Sequence, residues 1–176
     1  MAQTIEIRPL RPTDDRSAFS CGEPALDRFF QHYAGQNQFK LRLAVTYVAV
    51  LNERILGFVT LAVGTIEGRE VPNERLRRRL PAYPLPILRL ARLGVDLAAQ
   101  GTHVGQRLTR HVLSLALEER DSAGCVGVVV DAKLDAIGFY EKLGFIPLES
   151  VREGRLHGDS VPMFLDINTI AKALTD

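Results

Sequence analysis

The second half of the chain alternates between strand patterns and helix patterns, and this alternation limits the possible folds more than any other feature. Residues 126–130 are a β-branched run of the kind found in buried parallel strands. Gly144 follows a short amphipathic segment, and its lack of a Cβ suits a left-handed helix cap. The patterns predict strands at 87–95, 126–130, 145–148 and 161–167, a turn at 96–105, and helices from Val104 and over 136–143.

The first half of the chain adds antiparallel strands and one helix. Residues 5–10 alternate between apolar and polar side chains like an opening strand, which Pro9 brings to an end. Apolar side chains at helical spacing follow Pro24, and apolar runs at 47–51 and 55–63 flank a short turn, as in an antiparallel hairpin. The whole chain, residues 1–176, is therefore predicted to form one α/β domain with a mixed sheet.

Length, charge and cysteine usage exclude several classes of protein. A chain of 176 residues with 46% hydrophobic residues can bury the core of one ordinary globular domain. No apolar run approaches the roughly 20 residues that span a bilayer, and no signal peptide is recognised, so we expect no membrane association. Cys21 and Cys125 lie far apart without CxxC spacing or a His cluster, which argues against a metal site and fits buried, inert thiols in a reducing cytoplasm.

Arginine is concentrated in one segment of the chain. Residues 69–92 hold seven arginines and two glutamates, a local charge of +5 on a chain whose net charge is +1. The chain has 18 Arg and 4 Lys, and a planar guanidinium can grip a phosphate through two hydrogen bonds where an ammonium acts as a point charge. A solvated helix face is the alternative interpretation of such a run. The candidates for phosphate contacts are Arg75, Arg77, Arg78, Arg79, Arg89 and Arg92.

A glycine-containing loop joins the strand at 87–95 directly to the following helix. Backbone N–H groups at such a helix start converge with the positive end of the helix dipole, which makes an anion site suited to a pyrophosphate. The spacing is neither GxGxxG nor GxxxxGK[ST], so neither a dinucleotide-binding fold nor a P-loop is indicated. A tight connection without a ligand is the alternative for this loop.

Two motifs of this half are found together in one known superfamily. The loop has the sequence QGTHVG over 100–105, and the later helix has matching residues at Ala136, Phe139, Tyr140, Gly144 and Phe145. These segments resemble the Q/R-x-x-G-x-G/A loop and the A-x-x-F-Y-x-x-x-G-F helix of the GCN5-related N-acetyltransferase (GNAT) superfamily. The resemblance implies a mixed, mostly antiparallel sheet with a central parallel strand pair, flanked by helices.

The same resemblance implies acetyl-CoA as the acetyl donor and assigns roles to residues of both motifs. Tyr140 is expected to protonate the departing CoA thiolate, because a phenol with a pKa near 10 stays protonated at neutral pH; packing on the sheet is the alternative role. The backbone of β-strand residues before the loop is expected to pair with the pantetheine arm, and the loop to hold the pyrophosphate. The implied cofactor-binding residues are Leu93, Gly94, Val95, Gln100, Gly101, His103, Val104 and Gly105.

Further segments resemble one branch of this superfamily. Residues 19–22 read FSCG and residues 26–30 read LDRFF, and a proline-rich approach leads into LARLGVD at 90–96. These segments resemble the GNAT toxins of toxin–antitoxin pairs, which acetylate the α-amine of aminoacyl-tRNA and stop translation. A ribbon–helix–helix antitoxin is the partner that the resemblance implies, and Arg92 matches an arginine beside the acetyl site. A homodimer is an assembly that the sequence allows.

One residue departs from the superfamily pattern, and the substrate is not fixed by the motifs. His103 stands where the superfamily has glycine; its Cβ is expected either to crowd the pyrophosphate or, with a protonated imidazole, to add a phosphate contact. No side chain occupies an obvious general-base position. The α-amine of an aminoacyl ester is more acidic than an ordinary amine and is largely neutral near pH 7, so it needs no dedicated base. The alternatives are an acetyltransferase of a small-molecule or protein amine, and a shell with impaired cofactor binding that binds RNA or a partner protein.

Overall fold

The computed structural model describes residues 3–152, 154 and 159–175, and seven strands among them form one mixed sheet. The strands are β1 (Glu6–Pro9), β2 (Val45–Leu51), β3 (Arg54–Ile66), β4 (Leu85–Val95), β5 (Gly127–Lys133), β6 (Ile146–Pro147) and β7 (Ser160–Asp166). They are hydrogen-bonded in the order β1-β2-β3-β4-β5-β7-β6. Strands β4 and β5 are the parallel pair, as predicted, and helices flank the sheet.

Six α-helices connect or follow these strands in the described part of the chain. They are α1 (Pro24–Arg28), α2 (Glu74–Arg77), α3 (Val104–Ser122), α4 (Ile137–Lys142), α5 (Glu149–Arg152) and α6 (Ile167–Thr175). Helix α1 continues into π-helical segments at Phe29–Tyr33 and Gln36–Lys40. Short 3₁₀ turns lie at Gly68–Glu70, Leu97–Ala99 and Leu134–Ala136. No helix among the described residues has the length and apolarity that crossing a membrane requires.

The chain forms two compact units. The first unit contains residues up to Ala62 together with Leu90–Val112, and the second contains Val63–Arg89 together with residues from Leu113 onward. Each unit has a buried apolar cluster of its own. The single domain over 1–176 stays a prediction.

Aromatic packing dominates the core of the first unit. The Phe30 ring is fully buried and stacks on Phe58 with centroids 4.4 Å apart, and Phe19 packs edge-on against Phe30 at 4.8 Å. Strands β2 and β3 are antiparallel neighbours in this unit, and Asn52 and Glu53 turn between them with φ of 50° and 65°. Two left-handed residues match the twist of the flanking strands, so the predicted hairpin is confirmed.

A half-buried ion pair also belongs to the first unit. The Arg8 guanidinium donates two hydrogen bonds to the Asp14 carboxylate, at 2.9 and 2.8 Å, and each side chain is 12% exposed. The backbone N–H of Arg11 donates to the same carboxylate at 2.8 Å. The Arg8 hydrogen bonds lower the pKa of Asp14 below its ordinary value. This arrangement fixes the loop that follows β1.

The second unit is built around β5 and β7, which pair antiparallel from Gly127 opposite Asp166 to Lys133 opposite Ser160. Strand β7 lies between β5 and the two-residue edge strand β6. The apolar cluster of this unit consists of Ile66, Val71, Leu85, Ile87, Val129, Leu148 and Phe164. It therefore joins the sheet to the segment between β3 and β4.

Two of the predicted strands differ from the structure. The strand predicted at 145–148 is reduced to Ile146–Pro147, because Phe145 turns back toward α4 and Leu148 precedes α5. The strand predicted at 161–167 ends at Asp166, since the Asp166 carboxylate accepts hydrogen bonds from the N–H groups of Asn168 and Thr169. That capping begins helix α6, which the sequence analysis missed.

Candidate functional site

The last residues of β4 and the loop after them form a candidate site in the first unit. Asp96 ends the strand: its buried carboxylate accepts hydrogen bonds from the N–H groups of Ala98 at 3.0 Å and Ser20 at 3.3 Å. The N–H of Asp96 donates to the carbonyl of Leu56 in β3 at 2.8 Å. These contacts set the direction in which the chain leaves the sheet.

Gln100 holds the loop from within. Its amide Nε2 donates to the carbonyl of Val95 at 3.0 Å and to the carbonyl of Cys21 at 2.9 Å. The side chain therefore ties the loop to the end of β4 and to the segment before α1. Gln100 therefore positions the loop. Because one of its hydrogen bonds goes to Cys21, it also links the loop to the FSCG segment, which explains why the two segments occur together in one sequence.

The loop ends in an anion-binding geometry at the start of α3. Gly101 and His103 have φ of 81° and 67°, and the first helical hydrogen bond runs from the N–H of Arg107 to the carbonyl of His103 at 3.1 Å. The amides of the first helical turn precede that bond, so they have no intrahelical acceptors and face the approach to the helix. The first turn carries no acidic residue. Val104 is buried and anchors the turn, while His103 and Gly101 are exposed.

Gly94 is required by packing near this loop. A Cβ at this position would lie 2.7 Å from the ring of Phe58, which is closer than such contacts occur in proteins. The glycine thus lets β4 approach the aromatic core of the first unit. Leu93 and Val95, on either side, are half-buried, so the three residues offer a backbone segment whose position is fixed by the core.

Tyr140 occupies helix α4 in the second unit. It is 4% exposed, and its ring packs edge-on against Phe139 at 5.0 Å and Phe145 at 5.5 Å. Gly144 has φ of 99°, and this left-handed turn lets the N–H of Phe145 donate to the carbonyl of Tyr140 at 3.1 Å. The predicted helix cap at Gly144 is confirmed. This cap accounts for the spacing between Tyr140, Gly144 and Phe145 in the motif.

The Tyr140 hydroxyl is suited to hold a proton. Burial raises the pKa of this phenol above its ordinary value. Among the described residues, none forms a hydrogen bond with the hydroxyl. An oxygen that stays protonated at neutral pH and lacks an internal acceptor can donate its proton to a substrate.

The six candidate arginines divide by what they contact, beginning with those that have partners inside the protein. Arg77 donates to the carbonyl of Val71 at 2.7 Å and lies 3.6 Å from the Glu149 carboxylate, so it fastens α2 to α5. Arg89 pairs with Asp131 at 3.1 Å. Both side chains therefore serve the second unit itself.

The other four arginines are exposed. Arg92 lies over the Phe29 ring, 3.9 Å from its centroid, which fixes the guanidinium on an aromatic face. Arg78 forms an exposed pair with Glu74 at 2.7 Å, and a pair of this kind is weak. Arg75 and Arg79 have no carboxylate partner among the described residues. The helix in this segment covers only Glu74–Arg77, so it is shorter than the run of arginines.

Both cysteines are buried and free. Burial raises the pKa of the Cys21 thiol to about 11 and also raises that of Cys125. A neutral thiol is a poor nucleophile, so the prediction of buried thiols is confirmed and neither residue joins the candidate chemistry. No cluster of potential metal ligands occurs among the described residues.

A groove in the second unit escaped the sequence analysis. Its volume is about 340 Å³, and its lining includes the apolar residues Ile66, Val129 and Leu148 and the charged residues Glu67 and Arg69. Its residues come from four separate segments of the chain, so no local motif could have indicated it. A groove of this kind can accept a small apolar group beside a charged one.

One known family matches more than half of the chain. Residues 42–147 match the family described as "Acetyltransferase (GNAT) domain". A tRNA-acetylating toxin of Mycobacterium tuberculosis (strain ATCC 25618 / H37Rv) is 33% identical over 139 residues, which is 78% of this chain and 82% of the relative.

Two solved structures resemble the whole chain. The toxin AtaT complexed with acetyl-methionyl-tRNAfMet has a TM-score of 0.84 at 25% identity, over 97% of this chain and 99% of the other. A tyrosine-to-phenylalanine mutant of AtaT, bound to the C-terminus of the antitoxin AtaR and acetyl-CoA, has a TM-score of 0.76 at 27% identity, over 98% and 99%.

Proposed function

This chain belongs to the GNAT acetyltransferase family, and on that premise we propose that it transfers the acetyl group of acetyl-CoA to the α-amine of aminoacyl-tRNA and thereby blocks translation. The observation that supports the proposal is the turn from β4 into α3, where two left-handed residues lead into a first helical turn without acidic side chains, an arrangement that suits an anion. The tRNA-acetylating relative supports the choice of acceptor.

The residues at the start of α3 fit the donor. The pyrophosphate of acetyl-CoA would lie against the amides of Val104 and Gly105, with Gly101 open to solvent and nothing within 4 Å of a Cβ built there. Leu93 to Val95 would offer backbone groups to the pantetheine arm. Gln100 holds the loop for this purpose rather than contacting the donor. His103 would place its imidazole beside the same pyrophosphate.

The chemistry requires one acid and no strong base. Acetyl-CoA supplies a thioester, and attack by the neutral amine forms the C–N bond as the C–S bond breaks. In the proposal Tyr140 gives its hydroxyl proton to the CoA thiolate, and water removes the proton of the amine. The raised pKa of the Tyr140 phenol keeps it protonated for this step.

The acceptor is proposed to be held through its phosphates. Arg75 lies within α2, and Arg78 and Arg79 follow it. All three are exposed, so they can exchange solvent and counterions for phosphate contacts. Arg92 is also exposed, and its guanidinium is held over the Phe29 ring. Arg77 and Arg89 would contribute indirectly, because their contacts within the protein hold the segment that carries the other arginines.

We also propose a ribbon–helix–helix antitoxin, a site of action in the cytoplasm and assembly as a homodimer. The antitoxin is supported by the AtaT complex with the C-terminus of AtaR, and the arginine-rich segment is a suitable target for an acidic tail. Aminoacyl-tRNA is a cytoplasmic substrate. Size-exclusion chromatography with light scattering tests the dimer, and co-purification with the product of an adjacent ribbon–helix–helix gene tests the partner.

The decisive experiment follows labelled acetyl from acetyl-CoA. Aminoacyl-tRNA is compared with deacylated tRNA, with N-acetylated aminoacyl-tRNA and with a polyamine. Label on aminoacyl-tRNA alone supports the proposal, because only that substrate offers a free α-amine on an aminoacyl ester. Label on the polyamine with none on aminoacyl-tRNA contradicts it and favours a small-amine acetyltransferase. Bound acetyl-CoA without transfer to any of these also contradicts the proposed acceptor.

A further inference from the structure

We propose that the outer edge of β3 pairs with the same edge of a second copy of the chain, in antiparallel register about Gly64; this inference rests on the proposed homodimer. The β3 edge is defined as Val63–Ile66, which belongs to the second unit. It extends past β2, because the register of the two strands ends with Val45 opposite Leu61. Before Val45 the chain is no longer in a strand.

The backbone groups of Val63 and Thr65 point to this open side. Thr46 of β2 turns its backbone away from β3: its N–H donates to the Gln38 side chain at 2.9 Å, and its carbonyl accepts from the N–H of Leu10 at 2.7 Å. The alternate residues of β2 therefore face β3, and they lie opposite its odd-numbered residues. By the same alternation, the N–H and C=O groups of Val63 and Thr65 face outward. Among the described residues, neither has a backbone partner on that side.

The β3 edge lacks the features that protect a strand from pairing with another molecule. Residues 62–66 read AVGTI, without a charge or a proline, whereas exposed edges are commonly blunted by lysine, proline or a bulge. Val63 is 78% exposed, and Thr65 is exposed as well. Both are β-branched residues, which favour strands. An uncharged edge with outward donors and acceptors is a template for one more strand.

The outward groups match those of a second copy. An antiparallel pair centred on Gly64 places Val63 opposite Thr65 of the partner subunit, and Thr65 opposite Val63 of the partner subunit. The two residues of each pair direct an N–H and a C=O at each other, so both are hydrogen-bonded pairs. A register shifted by two residues would require Leu61, which β2 already occupies, or Glu67, which lies beyond the end of the strand. The register about Gly64 therefore uses every outward group of the edge.

Charge and symmetry favour a second copy as the occupant. Val63 and Thr65 are uncharged, so two copies meet without like charges opposite each other. A contact of one surface with itself closes at two subunits and forms no filament. Arg69 follows Thr65 by four residues, which span at most about 14 Å of extended chain. The arginine-rich segments of both copies therefore begin close to the twofold axis, where one tRNA can contact arginines of both.

Two double variants test this register, with the dimer dissociation constant measured by light scattering or sedimentation over a dilution series. V63K/T65K places like charges opposite each other in both pairs, and V63E/T65K places opposite charges there. Both variants charge the same two exposed positions, so each is the matched control of the other for effects on the monomer. The dissociation constant of V63K/T65K should be about tenfold higher or more than that of V63E/T65K, because cross-strand charge pairs act with opposite sign in the two variants.

Wild-type protein is expected to be a dimer in the upper part of the dilution series, and circular dichroism should show the same fold in all three proteins. A wild-type protein that is monomeric throughout, or equal dissociation constants for the two double variants, would overturn the β3 interface. A monomer whose binding to the antitoxin falls in both double variants would overturn it in favour of a partner protein's strand on the same edge. Labelled acetyl transfer is measured separately, so the proposed reaction stands or falls independently of these results.

Discussion

Replacement of Tyr140 by phenylalanine separates the chemistry of this residue from its packing. The substitution removes one oxygen and keeps the ring that packs against Phe139 and Phe145. No described residue forms a hydrogen bond with that oxygen, so the loss of internal contacts is small. We expect the free energy of unfolding to change by less than about 0.5 kcal/mol, whereas Tyr140→Ala should cost about 3–5 kcal/mol by leaving a cavity.

The effect on turnover should be much larger than the effect on stability. Loss of a positioned general acid lowers kcat by about 10²–10⁴-fold, which corresponds to roughly 3–5 kcal/mol in the activation barrier. The affinity for acetyl-CoA should stay within about twofold, since the phenol acts on the departing thiolate. Labelled acetyl transfer to aminoacyl-tRNA measures the first quantity, and calorimetric titration with acetyl-CoA measures the second.

The pH dependence supplies an independent check. Burial raises the pKa of Tyr140, so the acid stays protonated beyond the ordinary phenol value of about 10. The wild-type rate should therefore rise with pH as the amine loses its proton, without an alkaline fall below about pH 9. Turnover of Tyr140→Phe within threefold of wild type would refute the general-acid role. An alkaline fall near pH 8 in the wild-type enzyme would contradict the raised pKa.

Three further predictions concern side chains whose roles the structure distinguishes. Arg79→Gln should raise KM for aminoacyl-tRNA and lower the slope of log affinity against log salt by about one, whereas Arg77→Gln should leave that slope unchanged and lower the free energy of unfolding by about 1–2 kcal/mol in urea titrations. Asp14→Asn should lower the free energy of unfolding at pH 7. The fold lowers the pKa of the Asp14 carboxyl, so this group stabilises the protein above about pH 4 and ceases to do so as the pH falls through the lowered pKa. The variant should therefore lose less stability in acid than the wild-type protein does. Gly94→Ala should cost about 1–3 kcal/mol by overpacking, while Gly138→Ala, with nothing within 4 Å of its Cβ, should be neutral or stabilising in thermal unfolding.

Local patterns were sufficient to predict most of the strands and the two motifs. The turn from β4 into α3 and the cap at Gly144 depend on residues close together in the sequence, so their geometry follows from φ preferences and helix-start rules. The hairpin at Asn52 and Glu53 is likewise predicted from local sequence, because two apolar runs flank a short turn. Features of this kind need no knowledge of distant parts of the chain.

The errors arose where a distant or competing contact decided the outcome. Residues 161–167 are apolar enough to indicate a strand throughout, but the capping carboxylate of Asp166 starts helix α6. Arg77 resembled its neighbours in sequence, yet its partner Glu149 lies far along the chain. Periodicity contains no information about such a pairing, so the roles of individual arginines could not be separated in advance.

Arginine pairing therefore carries more information about this protein than arginine content. A guanidinium that is paired with a carboxylate has already exchanged its counterions for an internal partner, so it contributes little to the salt dependence of binding. Three of the six candidate arginines have no carboxylate partner among the described residues: Arg75 and Arg79 in the second unit, and Arg92 in the first. If Arg75 and Arg79 bind the acceptor through its phosphates, the salt dependence of acceptor binding is separable from that of donor binding. Neutralising Arg75 and Arg79 together should alter the salt slope for aminoacyl-tRNA and leave that for acetyl-CoA unchanged, an outcome that a general basic surface would not give.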